Sequence, residues 1–204
     1  MRVIAGRWRG RRLRSPAPGG HSRSGPPGSR REAIRPTSDR ARAGLFDWLG
    51  PWVEGARVLD LFAGTGSLGI EALSRGAAHA VFVECDPGAR RALSRNLEEF
   101  EVGDRGELLA LDVEVGLDRL AGRNRCFELV LADPPWELPW ADRVLGGVSR
   151  GSLLAKQGIL VIEQRRGNRE SGEGAAAEGL ALRETRQYGG TRFDCYQREG
   201  TAEP

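Results

Sequence analysis

Residues 58–69 read VLDLFAGTGSLG. The stretch opens as a short apolar run and closes on three glycines, Gly64, Gly66 and Gly69, in G-x-G-x-x-G spacing. Directly after it, SLGIEALSRG has helical periodicity and a stop at Gly76. A strand that runs into such glycines and then into a helix is the first half of a βαβ unit. Glycines at this turn let the backbone approach a ligand and let the helix pack close to the strand. The next apolar run, HAVFVE, ends at Glu84, 20 residues after Gly64. A carboxylate placed there can accept from two ribose hydroxyls. On spacing alone, a nicotinamide dinucleotide fits as well as any other nucleoside.

The rhythm continues on the C-terminal side. DPGARRALSRNLEEF is a helix with Asp86 as N-cap and Pro87 at the first helical position. GELLALD is a strand, VEVGLDRLAG a helix and FELVLAD a strand. A helical stretch runs to about residue 155, and GILVIEQ is a fifth strand. After the loop GNRESGEGAAAEG, LALRETRQYG and TRFDCYQRE read as two closing strands. The expectation is an α/β, Rossmann-like fold: a mostly parallel seven-stranded sheet with an antiparallel closing strand and helices on both faces. On the N-terminal side, RPTSDRARAGLFDWLG predicts a helix capped by Thr37 or Ser38, with Leu45, Phe46, Trp48 and Leu49 as its apolar stripe. RVIAGRWRGRRLRS reads as a small basic β-hairpin carrying Trp8, and SPAPGGHSRSGPPGSRR as a loop that only RNA would order. Residues 1–35 are therefore expected to form an RNA-binding arm, and residues 36–204 the α/β domain.

Charge supports the division. Residues 1–42 hold 12 Arg against Glu32 and Asp39, a net +10, and the remainder carries a net −7. A basic arm on an acidic body suits a polyanion partner. The basic residues are 30 Arg and one Lys, and guanidinium groups fork onto phosphate and stack on bases, which suits RNA. No apolar run approaches the ~20 residues of a membrane span, and the N-terminus has no apolar signal core. Cys85, Cys126 and Cys195 lie far apart and make no CxxC pair, so they read as reduced thiols in a cytoplasmic protein, with no metal site.

Asp60 decides between cofactors. It lies four residues before Gly64, where a carboxylate would repel a pyrophosphate. S-adenosylmethionine has no phosphate and carries a sulfonium and an ammonium, so an acid beside the glycine loop suits it. Asp112, ending the third strand, is placed to accept from an adenine amino group. Ends of neighbouring parallel strands share one crevice, so Asp60, Glu84 and Asp112 would meet there. The fourth strand ends in the same crevice with Asp133-Pro134-Pro135-Trp136. The prolines fix the turn, so that the Asp133 carboxylate and the Pro134 carbonyl face one spot. Two fixed acceptors suit an exocyclic amino group with two hydrogens to donate, and Trp136 can stack on the base. Adenine N6, cytosine N4 and guanine N2 all satisfy this chemistry.

The chain resembles the bacterial RsmD family. The resemblance is carried by RVIAGRWRGRRL, RPTSDRARAGLFDWL, VLDLFAGTGSLGIEALSRGA, VECDP with the later Asn96, ADPPW and YQRE, in family order over nearly the whole chain. It departs from the family in a longer loop before Arg35, in Trp136 where Phe or Tyr is commoner, and in Ala43 where Glu is usual. The resemblance implies a class I methyltransferase that transfers a methyl group from S-adenosylmethionine to N2 of one guanine, position 966, of 16S rRNA. Its substrate would be the RNA within an assembled or assembling small ribosomal subunit, and the enzyme would be a monomer. It places the cofactor at Thr37, Asp60, Phe62, Ala63, Gly64, Thr65, Gly66, Glu84, Cys85, Asp112, Val113 and Asp133. Catalysis falls to Asp133, Pro134, Pro135 and Trp136, and RNA contacts to Arg7, Trp8, Arg9, Arg11, Arg12 and Arg35. The rivals are an adenine-N6 methyltransferase, a nicotinamide-dependent oxidoreductase and a non-catalytic RNA-binding assembly factor.

Overall fold

A computed structural model describes residues 1–16, 39–135, 140–165 and 179–199. The helix cap at Thr37 or Ser38, the loop before Arg35, Arg35 itself, Trp136 and nearly all of the loop before the closing strands lie outside the described residues.

The strand-helix alternation forms as its periodicity dictates. Helices α1 (Asp39–Trp48) and α2 (Gly50–Val53) precede β1 (Arg57–Leu61). Then follow α3 (Ser67–Ser74), β2 (His79–Val83), α4 (Pro87–Glu99), β3 (Gly106–Leu109), α5 (Val113–Ala121) and β4 (Phe127–Ala132). Helix α6 (Trp140–Arg150), β5 (Leu154–Arg165), β6 (Leu180–Tyr188) and β7 (Thr191–Arg198) complete the order. Asp86 caps α4 as expected, its carboxylate accepting from the Ala89 N–H at 2.7 Å. Strand β5 starts earlier than its apolar run, because Leu154 pairs with Phe127 before the register shifts to Ile159 opposite Leu129.

The seven strands form one sheet in the order β3-β2-β1-β4-β5-β7-β6. All neighbours are parallel except β7, which runs antiparallel between β5 and β6. Strand order reverses between β1 and β4, the switch point where crevices open in such sheets. Alternation along β1 sends Val58 to one face and Leu59 and Leu61 to the other. Val58, Phe82 and Leu131 join Leu45, Ile70 and Leu93 in the core under α1, α3 and α4. Leu59, Val83 and Val130 join Leu117 and Val144 under α5 and α6. Among the described residues no helix is long and apolar enough to cross a membrane.

The N-terminal segment pairs its ends antiparallel, with Val3 N–H donating to the Arg11 carbonyl at 2.9 Å and Leu13 N–H to the Met1 carbonyl at 3.1 Å, but forms no regular strands. It forms a 3-10 turn at Gly6–Trp8 and one isolated antiparallel bridge, Arg2 with Arg12. The reason is its three apolar side chains. Val3, Trp8 and Leu13 are all buried in the main core, with Trp8 edge-on to Phe100 at 5.3 Å. Two α3 side chains hold its backbone: Glu71 accepts from the Ile4 and Ala5 N–H groups at 2.7 and 3.0 Å, and Ser74 accepts from the Trp8 N–H at 3.0 Å. Arg42, fully buried on α1, donates to the Arg2 carbonyl at 2.6 Å and to Asp39 at 2.9 Å. Burial holds the Arg42 guanidinium below its usual range, and Asp39, Glu71 and Glu163 oppose that shift.

Candidate active site

Register sets the level of the site. Leu61 pairs with Val83 on one side and Ala132 on the other. Phe62, Glu84 and Asp133 therefore follow side by side, one residue past the paired ends. Side-chain alternation places Asp60, Glu84 and Asp133 on the face of Val58, Phe82 and Leu131, under α3 and α4.

The chain leaves β1 with strain. Phe62 has φ 58°, a left-handed conformation that a bulky side chain rarely adopts. Its ring meets Trp140 edge-on at 5.0 Å. The Ala63 N–H donates to the Val83 carbonyl and the Gly66 N–H closes back on the Ala63 carbonyl at 2.7 Å. Gly64 and Gly66 have φ of 57° and 83°, so both need glycine's freedom. A Cβ on Gly64 would meet only the Phe62 carbonyl, at 3.9 Å, so this side of the loop is open to a ligand. Gly69 serves packing instead. A Cβ there would stand 2.3 Å from the Phe82 ring and 3.1 Å from an Asp60 oxygen.

Asp60 lies beneath the loop, 1% exposed. One carboxylate oxygen accepts from the Gly69 N–H at 2.8 Å, inside the first turn of α3. Burial pushes the carboxyl up to about 8, Gly69 opposes this, and the neighbouring Asp133 and Glu84 push it further. Glu84 is nearly as buried. One of its oxygens accepts from Gly64 N–H at 2.8 Å and the other from Asp86 N–H at 2.7 Å. Each oxygen keeps a further lone pair, the number two ribose hydroxyls require.

Asp112 does two things at once. It is exposed, stands three residues past the end of β3, and caps α5 by accepting from the Glu114 N–H at 2.9 Å. Cys85 lies between the acids, its thiol raised first by partial burial and then by Glu84 and Asp112. Val113 is buried in the layer under α5, so only its backbone can face the crevice. Asp133 is half-buried, Pro134 is buried and Pro135 is exposed. The structure thus brings Asp60, Glu84 and Asp133 together, with Cys85 and Asp112 along the edge.

Two residues of this neighbourhood have no role in the motif reading, Trp140, which it does not include, and Asn96, which enters only among the family motifs. Trp140, at the start of α6, packs on Phe62, and its indole N–H is buried without an acceptor among the described residues. Asn96, on α4, donates to the Thr65 carbonyl at 2.8 Å and so touches the glycine loop from below. Their signals were an aromatic shortly after the prolines and the lone Asn of the VECDP stretch.

The donor set fits S-adenosylmethionine. Acids crowd the loop without a compensating basic side chain among the described contacts of Asp60 and Glu84, so the site calls for a cation rather than a pyrophosphate.

The expected RNA contacts divide. Trp8 is 4% exposed and cannot offer its ring to a base, because it fills the core beside Phe100. Arg11 is partly committed, donating to the Glu99 carbonyl with its guanidinium 4.5 Å over Phe100. Arg7, Arg9 and Arg12 are exposed, and no acid among the described residues pairs with them. Arg105 joins this surface from the body of the protein, 5.4 Å over the Trp8 ring.

The family model described as "Conserved hypothetical protein 95" matches residues 1–197. The chain is 32% identical over 200 residues to the putative rRNA methyltransferase YlbH of Bacillus subtilis (strain 168), covering 98% of this chain and 100% of that one. It is 32% identical over 204 residues to the ribosomal RNA small subunit methyltransferase D of Escherichia coli (strain K12), covering 100% of this chain and 92% of that one. Among solved structures, the putative methyltransferase yhhF from Escherichia coli superposes with a TM-score of 0.79 at 29% identity, covering 98% of this chain and 99% of that one. With a match that spans the N-terminal segment, the glycine loop and the closing strands alike, the chain belongs to the RsmD family of ribosomal RNA methyltransferases.

Proposed function

We propose that the protein transfers a methyl group from S-adenosylmethionine to the exocyclic N2 of guanine 966 in 16S rRNA. The observation that carries the reading is the group of three acids, Asp60, Glu84 and Asp133, beside the switch point of the sheet, with the Asp60 carboxyl pushed up to about 8 first by burial and then by Asp133 and Glu84. Glu84 would hold the ribose, Asp112 the adenine amine, and the backbone of Gly64–Gly66 the amino-acid part of the cofactor. When bound, S-adenosylmethionine supplies an electrophilic methyl on a positively charged sulfur. Methyl transfer forms a nitrogen–carbon bond, breaks the sulfur–carbon bond and releases one proton from the amine.

Asp133 and the Pro134 carbonyl would take the two N–H groups of the target amine, which turns its lone pair toward the methyl group. Asp133 also offsets the positive charge that grows on nitrogen. The guanine amine is not basic, so orientation carries most of the rate. The base must leave its stack to reach the crevice. Arg7, Arg9 and Arg12 would take RNA phosphates on the side from which it arrives. The protein is read as a monomer acting in the cytoplasm on an assembled or assembling small subunit.

The test is mass spectrometry of nucleosides from small-subunit RNA of cells lacking the gene, incubated with protein and cofactor. N2-methylguanosine is expected. Methylated adenosine, or methylation of duplex DNA alone, overturns the proposal.

A further inference from the structure

Asn96 sits in the last turn of α4, and none of its surface is exposed. Its side-chain amide joins two segments far apart in sequence. The carbonyl oxygen accepts from the Arg14 N–H at 2.8 Å. The amide nitrogen donates to the Arg14 carbonyl at 3.3 Å and to the Thr65 carbonyl at 2.8 Å. One buried side chain thus grips both backbone groups of Arg14 and one carbonyl of the glycine loop. A buried amide is tolerated only when its hydrogen bonds are made, and here removing it would strand three backbone groups at once.

The two segments have different partners. Arg14 closes a stretch clamped onto α4: its guanidinium pairs with Glu99, and Arg11 donates to the Glu99 carbonyl. The exposed Arg7, Arg9 and Arg12, which no acid among the described residues pairs with, belong to the same stretch. Thr65 lies between Gly64 and Gly66, and its carbonyl fixes the peptide plane that leads into Gly66 at φ 83°. A shift of the Arg14 backbone cannot leave Asn96 unchanged, and a shift of Asn96 cannot leave Thr65 unchanged.

We infer that Asn96 is a positioning residue that couples RNA binding at the N-terminal segment to cofactor binding at the glycine loop. The inference rests on the functional reading above. RNA held by the arginines fixes the segment on α4, Asn96 transmits this to Thr65, and the loop is preset for its ligand. Coupling is reciprocal, so the cofactor tightens RNA by the same factor.

The experiment titrates S-adenosylhomocysteine, which cannot react, into the full-length protein by calorimetry, with and without saturating small-subunit ribosomal RNA. RNA affinity is measured with and without S-adenosylhomocysteine, and hydrogen exchange follows the amides of residues 64–67 in both states. Each ligand is expected to tighten the other by at least about fivefold, the lower end of allosteric coupling, and RNA alone should protect the loop amides. In Asn96→Ala the factor should fall to near one, whatever each affinity does singly. Independent binding in the wild-type protein, or a coupling that survives Asn96→Ala, overturns the inference while leaving the functional reading standing. Failure of S-adenosylhomocysteine to bind the wild-type protein, or of the RNA to bind it both free and within the small subunit, overturns both. Should Asn96→Ala not fold, Asn96→Asp, which keeps the oxygen that accepts from the Arg14 N–H and loses both donations, takes its place, and a wild-type coupling factor there overturns the inference.

Discussion

The proposed place of Asp60 in the cofactor site implies a pH dependence whose direction can be worked out. In the ligand-free protein its carboxyl titrates at about 8, raised by burial and by Asp133 and Glu84, so it is mostly protonated at neutral pH. A bound sulfonium or ammonium favours the carboxylate, so binding must expel the proton. Below the free value, apparent affinity then falls about tenfold per pH unit, and between about pH 8.5 and 6.5 the loss is about 25-fold. Calorimetry in buffers of different ionisation enthalpy should find nearly one proton released per cofactor bound at about pH 7. The amine of the cofactor titrates too. Asp60→Asn isolates the protein's share, since its side-chain oxygen still accepts from Gly69 N–H and the ligand's own titration is common to both proteins. Stability of the ligand-free protein gives the complementary sign. A carboxyl raised on folding contributes stability that is full below its unfolded value of 3.8 and lost as pH rises through about 8. The wild-type melting temperature should therefore decline between about pH 5 and 8.5 relative to Asp60→Asn. Equal pH dependence of affinity in wild type and Asp60→Asn would refute the role of Asp60.

Glu84→Ala should weaken S-adenosylmethionine at least about tenfold by calorimetry, since a charge-assisted hydrogen bond contributes ~1.5–3 kcal/mol; unchanged affinity in a folded variant removes Glu84 from the site. Asp133→Ala should cut methyl transfer by about two to four orders of magnitude through lost orientation, and single-turnover rates within about threefold of wild type would transfer that role to Pro134 and stacking. Exchanging Arg7, Arg9 and Arg12 together for Ala should flatten the salt dependence of RNA binding by ~0.7 per lost phosphate contact, and an unaltered slope would move the RNA elsewhere. Gly69→Ala places a methyl 2.3 Å from the Phe82 ring; denaturant unfolding should register a loss of about 1–3 kcal/mol.

The α/β order was legible because each of its signals is local. Apolar runs, the glycines after β1, Asp86 before Pro87 and Gly76 after α3 all act within a few residues. The crevice was legible because parallel strands end together, so acids at strand ends imply neighbours. The N-terminal segment was not. Val3, Trp8 and Leu13 are five residues apart, a spacing that matches neither a strand nor a helix, and the surrounding arginines mask three core residues. Their burial follows from Glu71, Ser74 and Arg42, whose contacts with the segment span sequence distances of 40 to 67 residues. The same limit hid the role of Asn96. It also made Trp8 read as an RNA contact when it is a core residue. A consequence is that this segment cannot be removed to test RNA binding without opening the core, whereas exchange of exposed arginine charges leaves the core whole.

The acids pose a question of energetics that only function answers. Asp60 could be Asn at this position with its hydrogen bond to Gly69 kept, and the burial penalty on ionisation would vanish. Glu84 holds the loop through Gly64 and Asp86 N–H groups, and a neutral Gln could accept from one of them equally well. A fold selected for stability alone would not place ionisable groups where burial and mutual repulsion drive the Asp60 carboxyl up by roughly four pH units from 3.8. Such local conflicts concentrate at sites that use them. Here the conflict is relieved by one thing the chain does not itself supply among the contacts described for Asp60, a positive charge in the crevice. The left-handed Phe62 adds a second, independent cost at the same strand end. Two unrelated penalties, electrostatic at the buried Asp60 and conformational at Phe62, fall within three residues at the end of β1, where β1 and β4 part. That coincidence is the energetic argument for the proposed cationic ligand at the glycine loop, since packing alone accounts for neither penalty.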